Sequence, residues 1–79
     1  MIERKHKLLV EAKEGTIVKI YKIESGATCR RRLIELGFRK DEDLKIIRNS
    51  LSGPVVVDIQ TTRIALGQGE ARKIYVEEK

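Results

Sequence analysis

Only one stretch of this sequence has a persuasive helical pattern, CRRRLIELGF at residues 29–38. Cys29, Leu33 and Leu36 fall at i, i+4 and i+7, which aligns them on one face. Glu35 follows Arg31 by four residues, a spacing that allows a weak ion pair. Gly37 closes the helix, because glycine takes the left-handed position after a helix without a Cβ penalty, and Phe38 is then expected to fold back onto the last turn. A chain with a single short helix must place its other apolar residues in strands. The helix then caps or plugs a small β structure.

Residues 17–23 (IVKIYKI) are β-branched and aromatic, a strand pattern apolar enough for both faces to be partly covered. A second strand is expected over residues 44–48. Pro54 opens a third, in which Val55, Val57 and Ile59 alternate with Val56 and Asp58, the clearest period-two signal in the chain. Residues 63–66 and 74–76 read as further strands, residues 67–70 as a turn, and Leu8, Leu9 and Val10 as a short leading strand. Residues 1–7 are polar and read as a flexible tail. Five to six short strands at this spacing predict a mainly β fold: a small, partly open SH3-like barrel with one short helix, in one domain over residues 1–79. Edges near residues 54–59 or the C-terminus would be available for homo-oligomerisation.

At 79 residues, the chain has room for one compact core but little for a deep catalytic cleft. It has no long apolar run, and the apolar stretch at residues 8–10 is too short for a signal peptide, so the cytoplasm is the expected location. A single cysteine fits a reducing compartment. The net charge of +5 favours an acidic partner. Aromatic residues make up only 4% of the chain, too few for a platform on which bases stack, which disfavours nucleic acid.

Arg30, Arg31 and Arg32 break a local rule. Three cations in the first half of a helix oppose its dipole, at a cost of a few tenths to about 1 kcal/mol each. They form either an anion-seeking edge for a partner or a solvated face on which Arg31 pairs with Glu35 and the Arg32 stem covers the core. Cys29 reads as a small core hydrophobe rather than a ligand. His6 with Glu3, and the acidic turn Asp41-Glu42-Asp43, offer too few convergent ligands for a tight metal site. Asp58 and Glu70 carry no argument beyond solubility. No nucleophile stands with a spaced base, and Gly67-Gln68-Gly69 lacks the rest of a phosphate-binding fingerprint, so no catalytic residues are expected and the chain reads as a non-enzyme.

Between residues 9 and 76 the chain resembles the FeoA family. The matching residues are Gly15, Ile20, Ile23 and Gly26; Arg32-Leu33 with Glu35-Leu36-Gly37-Phe38; Gly53-Pro54-Val55-Val56-Val57; and Ile64-Ala65-Leu66-Gly67, Ala71, Ile74 and Val76. Two departures stand out. Lys40-Asp41 replaces the usual Pro-Gly after the helix, where Asp41 can still take a left-handed turn, and Gly67 stands where many members carry Arg. The same module resembles the C-terminal domain of DtxR-type repressors, and the chain length favours the standalone form. The family resemblance implies a cytoplasmic accessory protein of ferrous-iron uptake that docks on the cytosolic domain of a FeoB-type transporter. The expected partner-binding residues are Arg30, Arg31, Arg32, Glu35 and Phe38. No tightly bound cofactor is expected, only weak contact with Fe2+ or another divalent transition metal. The alternatives are a small basic barrel that binds nucleic acid and a metal-sensing domain.

Overall fold

A computed structural model of the chain describes residues 6–50 and 52–79. Residues 1–5, which include Glu3 and most of the expected tail, lie outside the described residues. Six strands follow one another as β1 (His6–Leu8), β2 (Ile17–Ile23), β3 (Asp43–Asn49), β4 (Val55–Ile59), β5 (Thr62–Leu66) and β6 (Ile74–Glu78). All neighbouring pairs are antiparallel, in the spatial order β1-β6-β2-β3-β4-β5, so one sheet curls without closing. The helix α1 (Ala27–Glu35) links β2 to β3, as the mainly β, partly open architecture requires.

Several details differ from the sequence reading. His6 and Lys7, placed in the tail, are the first residues of β1, where they pair with Glu77 and Val76 of β6. The expected leading strand breaks at Leu9, and Leu9–Glu11 forms a 3-10 turn. Asn49 holds that turn by donating from Nδ2 to the Val10 and Ala12 carbonyls at 2.9 and 2.6 Å. The expected turn at residues 67–70 is largely a single helical turn, α2 (Gln68–Ala71). The sheet edges are β1 and β5; residues 54–59 and the C-terminal strand are both interior, covered by the β5 hairpin and by β1.

The alternation in β4 is realised as read. Val55, Val57 and Ile59 are buried, while Val56 and Asp58 are half-buried on the other face. Each fully buried aliphatic side chain contributes about 1.5–3 kcal/mol. β2 buries Val18 and Ile20 but leaves Ile17 exposed, so its pattern is closer to a half-buried strand than its composition suggested. A bulge between Ile20 and Lys22 then interrupts the ladder to β6 and re-aims Tyr21.

α1 rests on the sheet lightly. Leu33 is its one buried residue, with Cys29 packed partly against the core. Its end is a Schellman closure: Gly37 at φ 110° donates to the Ile34 carbonyl, and Phe38 donates to Leu33, both at 3.0 Å. Phe38 is thereby driven fully into the core. Leu36, read as part of the helix's inner face, is 42% exposed. It is the capping residue at which the helix stops, and Phe38 fills the core position that a longer helix would have given it.

Asp41 follows at φ 72°, the left-handed turn read for it. Its N–H donates to the Ile20 carbonyl at 2.8 Å, and the Ile20 N–H donates to Glu42 at 2.9 Å. These two bonds fasten the turn after Phe38 onto β2. They set Arg39 and Lys40 beside the bulge.

Candidate functional site

Where α1 leans away from the sheet, a groove of about 400 Å³ opens between the helix, β2 and this turn. β2 contributes Tyr21, Lys22 and Ile23; α1 contributes Arg30 and Ile34; Phe38, Arg39 and Lys40 complete the lining. Phe38 is fully buried and acts as the floor, while Ile34 is 37% exposed on the wall. Four cations border this apolar space and no carboxylate lines it.

The cations are held differently. Lys22 meets Glu24 at 3.0 Å, and that hydrogen bond, followed by the charge of Glu24, raises the ammonium above its ordinary value. Its Nζ also lies 5.4 Å from the Tyr75 ring centroid and 6.0 Å from that of Tyr21, within cation–π range. Lys40 approaches Tyr21 at 6.0 Å and Asp41 at 3.8 Å. Arg30 and Arg39 make no ion pair among the described residues. His6 stacks on Tyr21, with ring centroids 3.6 Å apart and planes 15° from parallel.

A second, shallow and open hollow lies on the outward face of α1 and is lined by that helix's own residues, Ala27, Arg30, Arg31, Ile34 and Glu35. Arg30 and Ile34 border both hollows. Being four residues apart, they form a ridge between them.

The partner-binding set read from sequence is therefore divided. Arg30 borders both hollows, and Arg31 and Glu35 line the second without pairing with each other among the described residues. Arg32 points away, to Glu70 of α2. Glu70, read as isolated, also accepts from the Gly67 N–H at 3.4 Å and so closes the start of that turn. Phe38, expected at the contact surface, supports the groove from below because the helix closure buries its ring. Tyr21, Lys22, Ile34, Arg39 and Lys40 also line the groove and are not in the set read from sequence. The doublet Arg39-Lys40 beside the Gly37 helix stop was the visible signal; the bulge that turns Tyr21 was not.

His6 Nε2 lies 2.9 Å from Glu77 Oε2, but no three of the His, Cys, Asp and Glu side chains gather around a common point among the described residues. The acidic turn disperses: Glu42 accepts from Gln60 at 3.1 Å, and Asp43 pairs with Lys79 at 2.8 Å. No helix among the described residues is long and apolar enough to cross a membrane.

Comparison with known proteins places this arrangement. The family model described as the FeoA domain matches residues 7–78. A curated relative from Methanocaldococcus jannaschii, which carries the name Fe(2+) transport protein A, is 41% identical over 70 residues, covering 89% of this chain and 84% of the relative. A crystal structure of FeoA from Stenotrophomonas maltophilia, described as an SH3 domain protein complexed with zinc, is 28% identical with a TM-score of 0.80, covering 90% of this chain and 89% of that one. A manganese-dependent transcriptional repressor shares the fold at 20% identity and a TM-score of 0.85. That match covers 94% of this chain but only 42% of the repressor.

Proposed function

This chain belongs to the FeoA domain family, and we propose that it is a small, non-catalytic accessory protein of ferrous-iron uptake that docks on the cytosolic part of a FeoB-type transporter. The name of the Methanocaldococcus jannaschii relative supports the link to iron transport. The observation that carries docking is the groove between α1 and β2. An apolar floor over Phe38 and a rim of Lys22, Arg30, Arg39 and Lys40 with no carboxylate lining suits a protein surface with acidic and apolar groups side by side. Arg30 and Arg39 lack ion-pair partners among the described residues and are the cations most open to one. The chain works at the cytoplasmic face of the membrane in this reading. Any contact of its own with Fe2+ is weak and rests on pairs such as His6 and Glu77.

Titration of the protein with the soluble cytosolic region of the matching transporter, followed by NMR with and without anaerobic Fe2+, tests this. Shifts confined to Tyr21–Ile23, Arg30, Ile34 and residues 38–40 are expected, lost in Arg30→Glu. No shifts under either condition would remove the docking role.

A further inference from the structure

The two hollows beside α1 say more about the occupant than charge alone. Resting on the docking reading above, we infer that the groove receives an acidic amphipathic helix packed across the Arg30–Ile34 ridge. Side chains four apart form the rows along which helices interdigitate, and such a row needs space on both sides. Here the row is flanked by the groove of about 400 Å³ toward β2 and, on the outward face of α1, by the shallow trough between it and the row Ala27, Arg31 and Glu35. A second helix fills both with side chains from successive turns. The hollow toward β2 has Phe38 below and Ile23 and Ile34 on its walls, a seat for one unbranched or γ-branched apolar side chain. Arg30, Arg39 and Lys40 stand around that seat; the outward hollow is mixed in charge, with Arg31 and Glu35 both on its border, so the acidic preference is set at the groove. Carboxylates one turn before and after the seated residue reach these cations.

Charge and shape exclude the rivals. A second copy of this chain would bring cationic rim against cationic rim, in a molecule with a net charge of +5. A lipid surface is flat and does not fill the groove toward β2, and the exposed apolar side chains here, Ile34 and Leu36, are only 37% and 42% exposed. A nucleic-acid base would find little ring surface to stack on, because His6 already stacks on Tyr21 and Phe38 is fully buried.

Three synthetic helical peptides of matched length test the inference. One carries a Leu with Glu one turn before and after it on the same face, one has the same composition with Glu on the opposite face, and one has Lys in place of Glu. The first is expected to shift the amides of Tyr21, Ile23, Arg30, Ile34 and Lys40, and to bind about tenfold more tightly than the second. Arg30→Glu should weaken it by about tenfold, whereas Arg63→Glu, with the same change in net charge, should weaken it less than about twofold. Equal binding of the two acidic peptides, or shifts mapped elsewhere, overturns the inference. So do anionic vesicles or single-stranded RNA that shift the groove amides at concentrations where the first peptide does not. Transporter binding at the groove with no preference among the peptides sinks the helix and spares the docking role, and peptide preference without transporter binding does the reverse.

Discussion

On the β4–β5 hairpin, Arg63 stands directly across from Asp58 and donates two hydrogen bonds to its carboxylate, at 2.7 and 3.1 Å. Beside α1, Arg30 and Arg39 line an apolar groove with no carboxylate in its wall. The residue type is the same and the consequence is opposite. At the hairpin the Arg63 hydrogen bond, more than its charge, holds the Asp58 carboxyl below the usual carboxylate range, and the pair is satisfied within the chain. At the groove the positive charge is left for something outside it. Arginine content alone does not distinguish the two regions; the presence or absence of an acid across the strand or turn does.

The two regions also differ in how they are supported, and mutations separate them. Phe38→Ala removes the groove's floor and a fully buried core ring together, so it should cost about 3–5 kcal/mol in urea unfolding. A loss below about 1 kcal/mol would mean the groove does not stand on the core. Gly37→Ala should cost about 1–2 kcal/mol through its φ of 110° alone, since the added Cβ would meet only Ile59 methyls at ordinary contact distance, 3.7 and 3.8 Å. On the hairpin side the sign reverses. Gln60 takes φ 56° in the tight turn, and Gln60→Gly should raise the melting midpoint, equivalent to about 0.5–1 kcal/mol. The smallest effect belongs to Asp58→Asn. A depressed folded-state pKa means that the Asp58 contribution is present above the unfolded carboxylate value near 3.9 and lost as pH falls through the folded value. The variant should therefore be slightly less stable than the parent at neutral pH, with the difference closing as pH falls below about 4, which leaves it a shallower pH dependence.

The sequence made some of this legible and hid the rest for identifiable reasons. The alternation of β4, the extent of β2, the closure of α1 at Gly37 and the left-handed Asp41 are local properties, set by period, glycine and turn chemistry within a few residues. Leu36 was misplaced because a heptad-like spacing was extended past the point where the helix stops. The leading strand, expected at residues 8–10, lies instead at His6–Leu8, because its extent is set by pairing with β6 from the other end of the chain. The groove depends on still longer range. Tyr21 is turned by a bulge, Arg39 and Lys40 are carried to it by two backbone bonds to Ile20, and Arg32 is withdrawn by Glu70 in a distant turn. The three arginines looked equivalent in the sequence. Their partners in the fold distinguish them.

If position and not total charge makes the α1 groove a docking face, as proposed above, charge reversals inside and outside it must differ in effect. Arg30→Glu and Arg63→Glu change the net charge equally and can be measured side by side for binding to the transporter's cytosolic region and for thermal stability. The account predicts that Arg30→Glu loses about tenfold in affinity with an unchanged melting midpoint, while Arg63→Glu lowers the midpoint and keeps its affinity. Equal losses of affinity in the two variants would contradict it, because the attraction would then belong to the whole basic surface.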